Sequence, residues 1–249
     1  MPQRLPLLLV TGPSISIQAT NEVALRDYTT LRLGGPAARL VSARDEEAIV
    51  SAVRAADSAD TPLLVLGGGS NLVISDAGFA GTCVLVANTG TTIERSGDGE
   101  VVVTAEAGTD WDEFVAHTVA EGLGGLECLS GIPGLVGACP VQNIGAYGVE
   151  IAQLLLSVDL LERASGTVRT VPAAELGLGF RVSVLKDTEH AVVLRARFRL
   201  RTDGRSAPIR FAELARTLGV AIGERVPVAA ARQAVLGLRR SKGMVLDET

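Results

Sequence analysis

Two glycine-rich stretches carry the groups with which this sequence could do chemistry, and the first spans residues 67–71. It reads Gly-Gly-Gly-Ser-Asn and follows a short apolar run. Glycine lets consecutive backbone N–H groups point at one anion, and the serine and asparagine side chains add hydrogen bonds, so a pyrophosphate would fit. The stretch is neither a Gly-x-Gly-x-x-Gly motif opening a helix nor a Walker A loop, which disfavours Rossmann and P-loop folds. A purely structural glycine turn is the alternative.

The second stretch, residues 131–148, reads Gly-Ile-Pro-Gly-Leu-Val-Gly-Ala-Cys-Pro-Val-Gln-Asn-Ile-Gly-Ala-Tyr-Gly. It contains five glycines, two prolines and no charged residue. Uncharged backbone rich in turns is tolerated where something packs against it. Either a flat, largely apolar ligand lies there, with Gln142 and Asn143 supplying side-chain amides, or the stretch is a tight crossover buried between two layers. The composition leaves both interpretations open.

The composition is typical of a globular protein with a sizeable core. The chain has 249 residues, of which 47% are hydrophobic and 20% charged, enough for one large or two ordinary domains. Its net charge of -5, without a long basic run, argues against nucleic acid or an anionic membrane as the main partner. No segment is long enough to span a bilayer, and the apolar run at residues 5–10 is too short for a signal peptide.

Cysteine and histidine are too few for the common disulfide and metal sites. Cys83, Cys128 and Cys139 are odd in number, and their spacing matches neither a disulfide framework nor a metal site. The two histidines leave little material for a metal centre or a Ser-His-Asp triad. We therefore expect no bound metal and a reducing, cytoplasmic compartment.

Local patterns predict the elements that position the two stretches. Before residue 90 we expect four strands and one helix. The strands are expected over residues 28–36, which end in a Gly-Gly-Pro turn, and over 38–41, 63–66 and 84–87, and the helix is expected over residues 45–57. Ser42 with Asp45 is expected to cap this helix, and Thr109 the next one. The strand over residues 63–66 leads directly into the 67–71 loop.

Later patterns predict two hairpins, a long strand and three helices. The hairpins are expected over residues 91–95 with 101–106 and 154–162 with 167–171, and the long strand over residues 190–201. The helices are expected over residues 110–121, 211–218 and 227–240. In the long strand, apolar residues alternate with Arg195, Arg197, Arg199 and Arg201. Alternation of this kind places the four arginines on one face, which we expect to be solvated.

Three separated motifs together resemble one protein family. They are Tyr-Thr-Thr-Leu-Arg-Leu-Gly-Gly-Pro at residues 28–36, Gly-Gly-Gly-Ser-Asn-Leu at residues 67–72, and the 131–148 stretch with its ending Pro-Val-Gln-Asn-Ile-Gly-Ala-Tyr-Gly. Their order and spacing resemble the UDP-N-acetylenolpyruvoylglucosamine reductases, flavoenzymes that make a bacterial peptidoglycan precursor. The likeness covers residues 26 to 247.

The resemblance implies an α+β architecture, the vanillyl-alcohol-oxidase-type (PCMH-like) FAD-binding fold. Two subdomains would grip the cofactor and a third domain would cover the substrate. The implied division is an N-terminal extension at residues 1–25, subdomains at residues 26–90 and 91–205, and the incomplete start of the substrate-binding domain at residues 206–249.

The resemblance also implies noncovalent FAD and NADPH as reductant. The pyrophosphate would lie against the 67–71 loop and the isoalloxazine ring beside the 131–148 stretch. Hydride would then pass to the enolpyruvyl double bond of a UDP-sugar substrate. The implied cofactor-binding residues are Leu66, Gly67, Gly68, Gly69, Ser70, Asn71, Leu72, Gly131, Ile132, Pro133, Gly134, Gly137, Ala138, Pro140, Gln142, Asn143, Gly145, Ala146 and Tyr147.

Two further motifs imply residues that act on the substrate. Residues 180–186, Phe-Arg-Val-Ser-Val-Leu-Lys, resemble the family's Tyr-Arg-x-Ser-x-x-Lys motif and place the enolate-stabilising arginine at Arg181, with Phe180 in place of the usual tyrosine. The run Arg-Arg-Ser-Lys-Gly at residues 239–243 resembles the segment whose lysine contacts the UDP portion, so Lys242 is the implied diphosphate ligand. The alternatives are a surface arginine at a strand entrance and a lysine favoured by a helix dipole.

The family's proton-donor serine and C-terminal glutamate would follow the lysine segment, whereas this sequence ends at Thr249. The resemblance therefore implies a C-terminally truncated member. We expect it to bind FAD and to be impaired in substrate reduction, because acid catalysis contributes roughly 10²- to 10⁴-fold. The alternative function is a flavin-binding module without reductase activity.

Overall fold

The computed structural model describes residues 17–95, 97 and 99–246. The apolar run at residues 5–10, Asp98 in the first hairpin turn and the end of the chain at Thr249 lie outside the described residues. The fold is α+β, with a four-stranded sheet from the first half of the chain and, from the second half, a five-stranded sheet and a short two-stranded one.

The first half of the chain forms a four-stranded sheet covered by one helix. Its elements are β1 (Ile17–Ala24), β2 (Pro36–Ala43), α1 (Glu46–Ser58), β3 (Leu63–Leu66) and β4 (Phe79–Val86). The strand order is β1-β2-β4-β3, with β1 antiparallel to β2 and the other pairs parallel. The predicted helix and the strands β2 to β4 are confirmed. The edge strand β1 lies mostly inside the range expected to be an extension and was not predicted. Its apolar residues Ile17, Ala19 and Val23 do alternate with polar ones, but Asn21 interrupts the pattern.

The strand predicted over residues 28–36 is wrong. Leu25–Tyr28 form a turn of 3-10 helix, after which the chain folds back on itself. The Thr29 hydroxyl donates to the Leu33 carbonyl at 2.8 Å and accepts from the Leu33 N–H at 3.1 Å. This side chain satisfies the backbone locally and so replaces strand pairing.

The second half of the chain forms a five-stranded antiparallel sheet and three helices. Its elements are β5 (Thr91–Arg95), β6 (Glu100–Glu106), α2 (Trp111–Ala120), β7 (Gly145–Ala146), β8 (Val149–Glu150), β9 (Leu155–Glu162), β10 (Thr167–Pro172), β11 (Ala191–Arg201), α3 (Ala212–Leu218) and α4 (Val228–Ser241). The sheet order is β10-β9-β11-β6-β5. The predicted hairpins, long strand and helices are confirmed.

Both predicted helix caps are corrected to aspartates. Asp45 Oδ1 accepts the Ala48 N–H at 2.7 Å, whereas Ser42 lies inside β2. At α2, Asp110 Oδ1 accepts the Glu113 N–H at 2.9 Å. The Thr109 hydroxyl bonds with the Gly90 backbone instead and ties the helix start to the preceding loop.

The arginine face of β11 is only partly solvated, which corrects the sequence-based expectation. Arg195 pairs with Glu46 of α1 at 2.6 Å, and both Arg195 and Arg197 pair with Asp159 of β9. Side chains of the two arginines are 27% exposed and that of Asp159 only 6%. The reason is tertiary: this face meets the acidic first turn of α1, so the charges join the two halves of the molecule.

The last two helices share a core with the second sheet. Residues from the segment assigned to the start of the substrate-binding domain, such as Ile209, Leu214 and Val235, belong to the same apolar cluster as Trp111 and Phe198. The buried Glu127 carboxylate accepts N–H groups from Gly125 at 2.6 Å and from Ala207 at 2.5 Å, fastening this segment to the second sheet. The C-terminal helices are therefore positioned by the core of the second sheet.

Candidate active site

The two glycine-rich stretches meet in the structure. Ser70 Oγ donates to the Pro133 carbonyl at 3.3 Å. A Cβ atom added to Gly68 would lie 3.1 Å from the Gly134 Cα, so the two backbones approach as closely as glycine permits. The 67–71 loop of the first sheet and the 131–148 stretch of the second half thus form one continuous surface.

The 67–71 loop offers unused hydrogen-bond donors. Within the described residues, its five N–H groups donate to no protein acceptor. The loop is held through other groups: the Gly69 carbonyl accepts from the Thr30 N–H at 3.3 Å, and a Cβ at Gly69 would lie 1.9 Å from the Tyr28 carbonyl oxygen. A fixed loop with free N–H groups fits an anion such as a pyrophosphate.

Several glycines of the 131–148 stretch serve the packing of the protein itself. A Cβ added at Gly137 would lie 2.6 Å from the Ala107 Cβ, at Gly145 2.7 Å from the Glu150 Cγ, and at Gly131 2.9 Å from Leu236 Cδ2. At these three positions glycine allows close packing within the protein, as the interpretation of a tight, buried crossover predicts.

Asn143 also serves this crossover. Its amide is buried and bonds Glu150 Oε2 at 3.0 Å, the Gly179 carbonyl at 2.8 Å and the Ala152 N–H at 3.1 Å. Its side chain holds the stretch in place rather than facing a ligand. Gln142, which is half-buried, remains the candidate amide for ligand contact.

The thiol of Cys139 lies inside the crossover and is chemically quiet. Its Sγ donates to the Leu135 carbonyl at 3.4 Å. Burial, with a smaller contribution from Asp110, raises its pKa well above the ordinary value. The thiol therefore stays protonated at neutral pH and fills space in the core.

An apolar cleft, here called the inter-sheet cleft, lies between the two sheets and opens beside the 67–71 loop. Its volume is about 260 Å³. Predicted residues Gly67, Gly137 and Ala138 line it together with Leu135 and Val193. A mainly apolar space that begins at a loop of free N–H groups fits a dinucleotide cofactor, so the residues present fit FAD.

Residues that precede and begin β11 also line the inter-sheet cleft, and sequence reasoning missed them. They are Thr188, Glu189, Ala191, Val192 and Val193. Their apolar alternation predicted a strand but carried no sign that its first residues face a cleft. Only the pairing of β11 in the centre of its sheet places them there.

A second cleft, here called the cationic cleft, has a volume of about 390 Å³ and gathers the candidates for substrate chemistry. Arg181 and Lys242 both line it, although they are 61 residues apart in the chain, and Arg239 lies beside them. Four predicted cofactor residues form the wall: Ile132, Gly145, Ala146 and Tyr147. The 131–148 stretch therefore separates and borders both clefts.

Arg181 is held in an unusual conformation at the edge of this cleft. Its φ of 56° lies in the left-handed region, which non-glycine residues adopt mainly where the surroundings enforce it. Its guanidinium donates to the carbonyls of Asn143 and Gly145, and its Cζ lies 5.6 Å from the ring centroid of Phe180. Backbone carbonyls thus orient the fork without neutralising it.

The end of α4 supplies the other two cations. Lys242 forms an ion pair with Glu213. Arg239 is only 7% exposed and donates to the Gly131 carbonyl at 3.2 Å and to the Met244 carbonyl at 2.9 Å. Burial lowers the pKa of Arg239 from its usual value. Sequence reasoning gave Arg239 no role of its own, although its spacing from Lys242 places both on one helix face.

Asp112 ties α2 to the first residue of the 131–148 stretch. Its Oδ1 accepts the Gly131 N–H at 2.6 Å, and its two oxygens accept Arg232 Nη1 and Nη2 at 2.6 and 2.8 Å. Burial raises the pKa of Asp112, but the hydrogen bonds from Arg232 and Gly131 outweigh it and the net pKa is lowered. The peptide of Gly131 is thereby clamped between α2 and α4.

The remaining predicted residues differ in exposure. Leu66 is fully buried and Leu72 half-buried in the core of the first sheet, so they support the 67–71 loop from its core side. Ser70 and Asn71 are exposed, Pro133 is half-buried and Pro140 is buried. Within the described residues, no group of three or more His, Cys, Asp or Glu side chains could hold a metal ion, and no helix is long and apolar enough to cross a membrane.

Comparison with known proteins agrees with this geometry. Residues 37–172 match the model of the FAD binding domain family. The UDP-N-acetylenolpyruvoylglucosamine reductase of Saccharopolyspora erythraea is 65% identical over 228 residues, which cover 92% of this chain and 62% of that protein. The protein of the same name from Mycobacterium sp. (strain MCS) is 50% identical over 240 residues, 96% of this chain and 67% of that protein.

A solved structure shows the same fold. The UDP-N-acetylenolpyruvylglucosamine reductase (MurB) of Thermus caldophilus superposes with a TM-score of 0.61 at 27% identity, covering 91% of this chain and 69% of that one. The expected two-subdomain, vanillyl-alcohol-oxidase-type FAD fold is confirmed. The chain spans 60% to 67% of the length of the curated relatives it matches. It belongs to the UDP-N-acetylenolpyruvoylglucosamine reductase family and carries that family's FAD-binding domain.

Proposed function

We propose that the chain is the flavin-binding part of a reductase that uses NADPH to reduce the enolpyruvyl group of UDP-N-acetylenolpyruvoylglucosamine. The product would be UDP-N-acetylmuramate, a peptidoglycan precursor made in the cytoplasm. The observation that carries the proposal is the convergence of Arg181 and Lys242 in one cleft whose wall is the 131–148 stretch. The family relationship supports the same assignment.

The cofactor is bound noncovalently between the two halves of the chain in this proposal. The free N–H groups of the 67–71 loop bind the pyrophosphate, and the apolar wall of the inter-sheet cleft accepts the flatter parts. When bound, FAD supplies hydride transfer chemistry that no side chain provides. The protein contributes binding, orientation and exclusion of water.

Arg181 stabilises the charge that develops beside the substrate carboxylate. A guanidinium is permanently charged and planar, and its fork matches a carboxylate better than an ammonium group does. The carbonyls of Asn143 and Gly145 take up two of its donors, and the others stay available for the substrate. Donors fixed before the reaction stabilise a transition state without reorganisation.

Lys242 binds the diphosphate of the substrate. In the structure its charge is paired with Glu213, but the side chains are 41% and 34% exposed. An ion pair so open to water contributes only about 0–1 kcal/mol, so a diphosphate can replace the carboxylate.

The visible spectrum of the purified protein tests the proposal. Addition of FAD should give a stoichiometric flavin spectrum, NADPH should bleach it, and UDP-N-acetylenolpyruvoylglucosamine should restore it. A flavin spectrum that NADPH does not change would support the alternative, a flavin-binding module without reductase activity. A protein that shows no flavin spectrum after unbound FAD is removed would contradict both interpretations and indicate a cofactor-free scaffold.

A further inference from the structure

Arg181 lies on a two-residue turn that is not held in place by apolar packing. Gly179 and Val182 exchange two backbone hydrogen bonds, at 3.0 and 3.2 Å, so Phe180 and Arg181 form the tip of the turn. Phe180 is 81% exposed and Val182 47% exposed. Because the apolar side chains of the turn face water, the position of Arg181 depends on hydrogen bonds at the base of the turn.

The side chain of Asn143 makes one of these bonds. It is fully buried, and its Nδ2 donates to the Gly179 carbonyl at 2.8 Å. The same amide donates to Glu150 Oε2 at 3.0 Å and accepts the Ala152 N–H at 3.1 Å. Two acceptors on one side and a donor on the other fix the orientation of the amide. Asn143 therefore fastens the base of the turn to the 131–148 stretch.

The backbone of Asn143 meets the guanidinium at the tip of the same turn. Its carbonyl accepts from Arg181 Nη1 at 3.4 Å, beside the Gly145 carbonyl, which accepts from Nη2. Asn143 has a φ of 43°, in the left-handed region that asparagine adopts more readily than most residues. One residue thus holds the arginine twice, by its backbone turn and by its charged fork.

Ser183 fastens the other side of the turn to the same stretch. It is buried, its Oγ donates to the Val141 carbonyl at 2.7 Å, and the Leu185 N–H donates to it at 3.0 Å. The turn that carries Arg181 is therefore held at its base by two buried polar side chains. Both bonds lead to the wall of the cationic cleft.

We propose that Asn143 is a positioning residue for Arg181 and, assisted by Ser183, holds the guanidinium where it meets the carboxylate of the enolpyruvyl substrate. The inference rests on the proposed function and gives the buried amide a part in it. Without Asn143 the turn keeps its own backbone bonds but loses its anchor. A fork that is not fixed beforehand binds a carboxylate less tightly, because binding must then order it.

Calorimetry with the oxidised, FAD-loaded protein tests this role without any turnover. Arg181→Met should weaken binding of UDP-N-acetylenolpyruvoylglucosamine by about 10- to 100-fold, the range for losing a hydrogen bond to a charged group. Asn143→Ala should weaken it by about 5- to 10-fold, since the fork remains but is no longer fixed. UDP-N-acetylglucosamine, which lacks the enolpyruvyl carboxylate, should bind the wild type and both variants alike.

A double-mutant cycle shows whether Asn143 acts through Arg181. In the Arg181→Met background, Asn143→Ala should weaken substrate binding by less than about twofold, because residues that act on one contact are not additive. An equal loss in both backgrounds would overturn the inference, since Asn143 would then act independently of the arginine. An equal loss of affinity for UDP-N-acetylglucosamine would overturn it too, because the effect would not concern the carboxylate.

Asn88 offers a matched control, because its amide makes the same three kinds of bond elsewhere. It is 2% exposed, donates to Glu106 Oε2 at 2.8 Å and to the Leu194 carbonyl at 2.9 Å, and accepts the Gly108 N–H at 3.1 Å. It lines neither the inter-sheet cleft nor the cationic cleft. Asn88→Ala should lower thermal stability about as much as Asn143→Ala but leave substrate affinity within about twofold. Similar losses of affinity in the two variants would overturn the inference.

Ser183→Ala decides the matter should Asn143→Ala fail to fold, which thermal unfolding and the flavin spectrum would show. It removes one hydroxyl from the base of the turn and should weaken substrate binding by about threefold, without changing the affinity for UDP-N-acetylglucosamine. Unchanged substrate affinity in Ser183→Ala would then overturn the inference. Failure of the proposed function is a separate result, because it appears as missing FAD binding or missing NADPH oxidation in the wild type.

Discussion

The arginines of β11 and those of the cationic cleft differ in their counterions. Arg195 and Arg197 share Asp159, and Arg195 also pairs with Glu46 and with Glu106 at 3.1 Å. Among the described residues, no carboxylate forms an ion pair with Arg181 or Arg239, which donate to backbone carbonyls instead; Arg239 interacts with Asp112 only at longer range. Both groups are at least partly buried, so burial does not explain the difference.

The difference separates a structural use of arginine from a functional one. A guanidinium that faces a carboxylate is neutralised inside the protein and fastens two elements, here α1 and the second sheet. A guanidinium held only by carbonyls is oriented but keeps its charge for a ligand. Residue type alone did not distinguish the two groups, because both consist of arginines.

The largest expected effect is on the paired group. Asp159→Ala should reduce the free energy of unfolding by about 3 kcal/mol, because it removes the carboxylate that pairs with Arg197 and one of the three that pair with Arg195. The estimate is at the lower end for buried pairs because the arginine side chains are 27% exposed. Urea denaturation measures it. Asp203→Ala, at a site 42% exposed, is the control and should cost about 0–1 kcal/mol; similar losses in both would remove the distinction.

The next effect concerns the unpaired group. Arg181→Met should slow reoxidation of the NADPH-reduced protein by the enolpyruvyl substrate by about 100-fold, the lower range for losing one fixed donor to a developing charge. FAD affinity, measured by absorbance titration, should stay unchanged. Arg199→Met is the control, since that side chain is 58% exposed and belongs to the paired strand. Loss of FAD binding in Arg181→Met would contradict a role confined to the substrate.

Asp112 pairs with an arginine, as Asp159 does, and it also bonds the first residue of the 131–148 stretch, so it links the two regions. Asp112→Asn keeps an oxygen that can accept the Gly131 N–H but loses the charge that pairs with Arg232, so we expect a stability loss of about 1–2 kcal/mol. Asp203→Asn is a close match, because Asp203 also accepts a backbone N–H and pairs with an arginine. Only Asp112→Asn should shift the spectrum of bound flavin, because Gly131 begins the 131–148 stretch that forms the cofactor wall. Identical flavin spectra in Asp112→Asn and Asp203→Asn would contradict this prediction.

The smallest effect is the pH dependence of the paired group. At Asp159, burial raises the pKa, but hydrogen bonds from Arg197 and Thr170 outweigh it and the net pKa is lowered. A folded-state pKa below the unfolded value means that the unfolded chain binds more protons in acid, so this stabilisation is present above about pH 4 and lost below it. Urea midpoints at pH 7 and pH 3 should therefore differ less in Asp159→Asn than in the wild type. An unchanged difference would show that Asp159 does not cause it.

Local sequence patterns were sufficient for most of the fold. Alternation and helical spacing report on neighbours within a few residues, which is why β5, β6, α1 and β11 were predicted. They failed where a single hydrogen bond decides between local conformations. Thr29 closes a turn in place of the expected strand, and aspartates displace the expected caps at both helices.

Without the family resemblance, the candidate site was predictable only in its two glycine-rich stretches, whereas Arg181 and Lys242 were identified through the family motifs. The 67–71 loop and the 131–148 stretch could be identified because runs of glycine and proline without charge have few uses. The first residues of β11 and the place of Arg239 in the cationic cleft could not, because nothing in their local sequence distinguishes a strand or helix end in a cleft from one in solvent. The side-chain amide of Asn143, predicted to contact a ligand, bonds within the crossover in the structure.

By itself, the sequence determined the order of strands and helices, the two glycine-rich stretches and the family motifs, since each depends on residues close together in the chain. The tertiary structure decided which charges are neutralised and which are left for a ligand. Arg195 and Glu46 are 149 residues apart, and Asp112 and Arg232 are 120 apart. Pairs so distant form only when packed sheets and helices bring them together, and the same packing leaves Arg181 and Arg239 facing one cleft without an ion pair to a carboxylate among the described residues.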